Sequence, residues 1–237
     1  MGSIKTALLT TALLVGFGGI AQAGLANGDV YSFIVWSGSY ASLGITGNAT
    51  DQAGDVPLGK PSATFTYTGP IDFADKGGQS SANLAGTFFG SGGNDITDFA
   101  SQTGQFSSST NFLATDTLSN TGLSGTALVT YMEITGTYTA AAGTTVTISH
   151  DDGASLYVGP TNTPVIQSGD PTSQIPSTAL LPAATNSPFQ LVYVEANGAP
   201  SVLQVTETVP VPEPGSLALL GTGLVGLGLI LRRRRSA

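Results

Sequence analysis

Thr144-Thr-Val-Thr-Ile-Ser-His-Asp-Asp-Gly-Ala-Ser-Leu-Tyr-Val158 is the stretch on which the fold turns. Val146 and Ile148 fall on one side of an extended chain, and Thr145, Thr147 and Ser149 on the other. That period of two belongs to a strand with one buried face. His150 shares the parity of the apolar pair, which gives it a half-buried structural role. Asp151-Asp152-Gly153 interrupts the pattern at a turn, and Ala154 to Val158 forms a second strand.

Similar segments recur on both sides. Val30 to Trp36, Ala63 to Tyr67, Ala127 to Ile134, Phe189 to Glu195 and Ser201 to Thr208 all read as strands. In the last of them Leu203, Val205 and Val209 lie opposite Gln204 and Thr206, which predicts one buried face. Ala196-Asn-Gly-Ala-Pro200 separates the final two strands, and Asn197-Gly198 is a hairpin signal. Residues 77–125, rich in Gly, Ser, Thr and Asn, read as loops around weak strands, with apolar islands at Leu84 to Phe89 and Phe112-Leu113. Gly159 to Pro188 reads mostly as loop, with a short strand near Thr163 to Ile166. No amphipathic helix is expected in residues 24–209. The fold class is therefore all-β, an antiparallel β-sandwich or barrel over residues 24–208.

Both ends carry export features. Lys5 and the apolar run Ala7 to Ile20 precede Ala21-Gln22-Ala23, a small-x-small cleavage site, so residues 1–23 read as a signal peptide. Residues 209–237 hold a proline segment with Pro212, Glu213 and Pro214, then an apolar run from Ser216 to Leu231, then Arg232, Arg233, Arg234 and Arg235. Residues 216–231, with Leu217 and Leu231 near their ends, form a short transmembrane helix in this reading. At ~1.5 Å per residue they reach roughly 24 Å, a marginal span of a ~30 Å hydrocarbon core. The arginines would stay cytoplasmic. The order Pro-Glu-Pro, apolar helix, arginine cluster resembles the PEP-CTERM sorting tail of Gram-negative envelope proteins. That resemblance implies an exosortase partner, transient tethering at the inner membrane, removal of the tail and delivery to the cell surface or exopolysaccharide matrix.

Composition narrows the chemistry. Residues 24–209 contain two lysines (Lys60 and Lys76) and fourteen carboxylates, a net charge of −12. Such a field repels nucleic acid and anionic lipid and favours divalent cations or neutral sugars; solubility alone is the bland alternative. The chain has no cysteine, which excludes thiol catalysis and thiolate zinc sites. Gly221-Thr-Gly-Leu-Val-Gly226 fits a dinucleotide-binding spacing on paper. It sits in the C-terminal apolar run with no preceding strand, so it is a decoy. Gly93 to Asp98 offers oxygen ligands but reads by default as an acidic loop.

The constellation that carries chemistry is Asp151-Asp152-Gly153. Adjacent carboxylates repel unless a cation neutralises them, and on a tight turn they can converge on a hard ion such as calcium. A solvated turn is the alternative. A Ser-His-Asp triad would have to use His150, whose neighbour Asp151 is poorly placed to orient its ring. No pair among the carboxylates is selected for glycosidase chemistry, so no enzyme is expected.

Ile148-Ser-His-Asp-Asp-Gly-Ala-Ser-Leu-Tyr-Val158, with Thr163 to Ile166, Ser177 to Ala183 and the run Phe189 to Val205, resembles PA14 domains over about residues 127–207. The resemblance implies a β-barrel carbohydrate-binding module, in which Asp151 and Asp152 hold calcium (Ca2+) that coordinates sugar hydroxyls. Asn197 is a further candidate ligand, and Glu195 is expected to face solvent or accept a turn hydrogen bond. The function that follows is an exported surface or matrix protein with non-catalytic, calcium-assisted binding of a glycan or exopolysaccharide. The alternative is a structural matrix protein without a specific ligand, and nucleic acid is not a partner.

Overall fold

The alternating segments form strands in the computed structural model, which describes residues 25, 30–44, 59–76, 83–120, 127–160, 164–169, 173–196, 198–210, 220–227 and 232. In chain order these are β1 (Val30–Ser39), α1 (Tyr40–Leu43), β2 (Ala63–Thr68), β3 (Asp72–Asp75), β4 (Asn83–Leu84), α2 (Ala85–Phe89), a 3-10 turn (Gly90–Asp95), β5 (Ile96–Ala100) and α3 (Ser109–Thr115). Then follow β6 (Thr117–Ser119), β7 (Leu128–Ala140), β8 (Thr145–His150), β9 (Gly153–Val158), β10 (Pro164–Ser168), β11 (Ile175–Leu180), β12 (Ala184–Glu195) and β13 (Ser201–Thr208).

Seven strands make one antiparallel sheet in the order β10-β9-β12-β7-β1-β2-β5, and four make a second in the order β11-β8-β13-β3. β4 and β6 pair as a separate ribbon. Among the described residues no ladder joins the edges of the two large sheets, so they face each other as a sandwich and do not close into a barrel. The barrel alternative is thereby corrected.

The core follows from the pleat. Cross-strand rows such as Phe65–Phe33–Ile134–Leu191–Leu156 and Ala63–Val35–Met132–Tyr193–Ala154 point their side chains inward. Phe73 of β3 reaches across from the smaller sheet, its ring centroid 6.1 Å from that of Phe33. Gly136 keeps β7 open at one point of this core, because a Cβ there would lie 2.9 Å from the Phe189 ring and 3.1 Å from that of Tyr31. The outer face of the large sheet is also covered: Trp36, Tyr40, Leu43, Tyr131, Val192 and Val194 form a second buried cluster.

The interior of residues 77–125 departs from the loop reading. Its apolar islands are helical, and α2 and α3 contribute buried Phe88, Phe89 and Phe112. Helices of four, five and seven residues cannot display a 3.6-residue period, so the expectation of no helix in residues 24–209 fails for that reason. Residues 159–188 likewise hold more strand than expected, namely β10, β11 and the start of β12. Among the described residues β11 pairs with β8 alone, and its residues alternate half-buried and exposed.

The linker from β12 to β13 is no hairpin. β12 belongs to the seven-stranded sheet and β13 to the four-stranded one, so residues 196–200 cross between sheets, with a cis Ala199-Pro200 bond. The Asp151-Asp152 turn is the parallel case, leading from β8 in the smaller sheet to β9 in the larger. The two crossings meet at one end of the sandwich, where Asp151 N donates to Val202 O. From there β13 runs beside β8 to Thr208, which pairs with Thr145. At that far end Leu25 N donates to Glu207 Oε1, and Tyr31 OH donates to Leu25 O.

Candidate functional site

The acidic turn lies inside the protein. Asp151 is 4% exposed and Asp152 not at all, which corrects the reading of a solvated turn. Asp152 takes a left-handed backbone (φ 59°), which lets the chain turn sharply from one sheet to the other. Its Oδ2 accepts from Ala196 N at 2.7 Å, tying the first crossing to the second. Asp151 Oδ2 is buried without a hydrogen-bond partner.

Glu195, expected to face solvent or accept a turn hydrogen bond, is fully buried and accepts two. Its Oε1 accepts from Ser119 Oγ at 2.8 Å and its Oε2 from Tyr193 OH at 2.7 Å. Ser119 Oγ in turn accepts from Gly198 N at 3.0 Å. The chain on both sides of residue 197 is thus anchored to Asp152 and to Ser119. Parity could have found Glu195, because it shares the inward face of Phe189, Leu191 and Tyr193 along β12.

His150 is buried as its parity predicts. Its Nδ1 lies 2.8 Å from Asp152 O and its Nε2 2.8 Å from Ser177 Oγ. A carbonyl only accepts, so Nδ1–H donates, and a neutral ring then accepts the Ser177 hydroxyl at Nε2. Burial pushes its pKa down, which favours the neutral ring. With both nitrogens engaged, His150 braces β8 against β11 and the turn.

Three carboxyls meet at this corner in a low dielectric. Burial, and then repulsion from Asp152, pushes Asp151 up to about 7. Burial first and then Asp152 push Glu195 well above the usual carboxylate range. Asp116, nearby in the chain to Ser119, is pushed up to about 6 by burial, with the Ser37 hydrogen bond opposing. Raised carboxyl pKa values mean that the folded protein holds protons which the unfolded chain has released. The lowered imidazole of His150 works the other way below about pH 6.5. The raised carboxyls of Asp116, Asp151 and Glu195 outnumber it, so between about pH 3.8 and 7 the folded state binds more protons and stability falls as pH rises through that window. Melting of the protein in EDTA is expected to give a Tm that declines from pH 4 to 7; a rise over that range would contradict this account of the corner.

The donor set is of hard oxygens, as calcium requires. The orphaned Asp151 Oδ2 is the atom that most needs a cation, and a carboxylate such as that of Asp152 offers about four lone-pair sites. Among the described residues no three His, Cys, Asp or Glu side chains are grouped to hold a metal. The pair could therefore supply only part of a coordination shell. Asn197 lies outside the described residues, as do Ala21, Ala23, Pro212, Glu213, Pro214, Leu217, Leu231, Arg233, Arg234 and Arg235. Residues 220–227 are helical with exposed Leu220, Leu224, Val225 and Leu227. Among the described residues no helix is long and apolar enough to cross a membrane, and residues 216–219 and 228–231 of the span read over residues 216–231 lie outside them.

Comparison with known proteins gives two kinds of likeness. Among curated proteins none matches this chain. Among solved structures the chain is similar to a PA14 sugar-binding domain from an RTX adhesin, with 17% identity and a TM-score of 0.49, covering 77% of this chain and 90% of that one. It is similar also to the PA14 domain of the MpAFP antifreeze protein, at 16% identity and a TM-score of 0.49 over 78% of this chain and 86% of that one. The epithelial adhesin 9 A domain of Candida glabrata, solved with Galb1-4GlcNAc, shows 11% identity and a TM-score of 0.44, over 81% and 90% of the two chains. A family model matches directly at the other segment: residues 210–235 are a PEP-CTERM protein-sorting motif.

Proposed function

We propose that this protein is exported and binds carbohydrate without catalysis, through a calcium ion held at the Asp151-Asp152 turn. The observation that carries the reading is the pair of adjacent buried carboxylates, one of whose oxygens, Asp151 Oδ2, has no hydrogen-bond partner. A cation there would relieve both the repulsion and the unmet acceptor, and an incomplete protein shell would leave coordination positions for sugar hydroxyls. The acidic domain and its two lysines suit a neutral glycan better than an anionic one. The sorting motif at residues 210–235 supports export, with exosortase as the processing partner and the cell surface or matrix as destination.

Calcium added to the full-length protein in detergent tests this. At a hundredfold excess over Kd a ligand stabilises by about 2.7 kcal/mol, a Tm rise of roughly 5–10 °C for a domain of this size. The rise is expected with calcium, smaller with magnesium, and absent in the Asp151→Asn/Asp152→Asn double variant. A Tm indifferent to calcium, together with a glycan array that stays blank with and without it, would leave only a structural matrix role.

A further inference from the structure

A second polar site lies beside the corner and uses neither aspartate of the turn. A cavity of about 190 Å³ is lined by Ser37, Gln105, Thr115, Asp116, Thr117 and Leu128. That volume is about six waters at ~30 Å³ each, the room one small polyol needs. Asp116 is 3% exposed and fixed on every side by its backbone: its N–H donates to Phe112 O at 2.9 Å and its carbonyl accepts from Ala85 N at 3.0 Å. Its Oδ2 accepts from Ser37 Oγ at 2.7 Å. One such bond leaves a carboxylate most of its acceptor capacity.

The lining is matched to a hydroxylated ligand. Asp116 only accepts in its charged form, so it calls for a donor, and a sugar hydroxyl is one. The Ser37 and Thr115 hydroxyls give their protons to Asp116 Oδ2 and Asn111 O and so can accept from a sugar hydroxyl, while the Thr117 hydroxyl and the Gln105 amide can both donate and accept. Leu128 offers an apolar surface for a C–H face. An anionic ligand is opposed by Asp116 and by the acidic domain around it.

The cavity is also built into the same end of the fold as the corner. Ser37, Thr130 and Glu195 occupy one cross-strand row of β1, β7 and β12. Thr130 Oγ1 lies 2.6 Å from Leu118 O and 3.3 Å from Ser37 Oγ. Ser119, the next residue of β6, holds Glu195. β6 therefore separates two polar sites that share one rigid frame.

We propose that the cavity between Ser37, Asp116 and Gln105 is a calcium-independent binding site for one neutral pyranose or comparable polyol. It stands whether or not calcium binds at Asp151 and Asp152.

Saturation-transfer NMR on the full-length protein in detergent and EDTA tests it, with methyl glucoside, methyl galactoside and methyl mannoside as neutral probes, glucuronate as the anionic one and glucosamine as the cationic one. At least one neutral glycoside is expected to show transfer in EDTA. Binding should weaken at least tenfold in Asp116→Asn, which keeps the side-chain shape, and several-fold in Gln105→Ala, at an exposed rim position where folding is not at stake. The proposal is overturned if no neutral glycoside binds at 10 mM in EDTA, if both variants bind as the parent does, or if glucosamine alone responds, which would make the site one for ammonium ions.

Discussion

Replacing Phe33 by alanine is expected to destabilise the protein by about 3–5 kcal/mol, the range for a large aromatic lost from a packed core. Phe33 is the junction of the interior. Its ring stacks on Phe65 at 4.9 Å and meets Tyr67, Phe73 and Phe89 edge-on at 5.8, 6.1 and 6.0 Å. Those partners come from β2, β3 and α2, so one side chain ties the large sheet to the small sheet and to the helical insertion. Truncation would leave a cavity walled by aromatic rings that cannot collapse without moving several elements together. Phe99→Ala is the control: that ring is only half-buried, with contacts to Phe65 and Phe112, and about 1 kcal/mol is expected. Urea denaturation reads both. Equal midpoints for the two variants would show that Phe33 has no special place in the core.

Glu195 gives the second large effect, and its direction depends on what replaces it. In Glu195→Ala the buried hydroxyls of Ser119 and Tyr193 lose their acceptor, at about 1–3 kcal/mol for each polar group left unmet, and a void is added. A loss of about 3–5 kcal/mol follows. In Glu195→Gln the amide can accept from one hydroxyl and donate to the other, because hydroxyls do both. A permanently neutral amide replaces a carboxyl that must take up a proton on folding, while the bonds remain, so that variant is expected to match or exceed the parent in stability at pH 7. It should also flatten the decline of Tm with rising pH. Melting both variants in EDTA at pH 5 and pH 7 checks this; a glutamine variant as unstable as the alanine one would mean that the network needs the ionised carboxylate.

How far the sequence could be read depended on how local the cause was. β8 was legible because one face is buried and the other is not, so Val146, Ile148 and His150 announce themselves by parity. The position of the acidic turn between two strands was legible for the same reason. That those strands belong to different sheets was not, since nothing in Asp151-Asp152-Gly153 or in residues 196–200 says whether the next strand pairs with the last one or crosses over it. Turn chemistry is local, and the choice is made by distant partners such as Phe73 against Leu203. The solvent-facing alternative for Glu195 failed because its charge was given more weight than its parity. α3 had a cue in Ser108, which caps it by accepting from Asn111 N, but a seven-residue helix offers too few positions for a periodic signal. Asp116 carried no cue at all, because what makes it part of a cavity is Ser37, 79 positions away.

The direction of β13 has a consequence for how the molecule would be displayed. The strand starts at the crossing beside Asp151 and finishes at Thr208, seven steps later, roughly 23 Å away at ~3.3 Å per residue. Leu25 is bonded to Glu207 at that same pole, so the leading and trailing connections of the domain leave together from the side remote from the buried acids. A protein moored through residues 210–235 would present its acidic pole outward, toward whatever lies beyond the cell, and cutting the mooring would free the molecule without disturbing that pole.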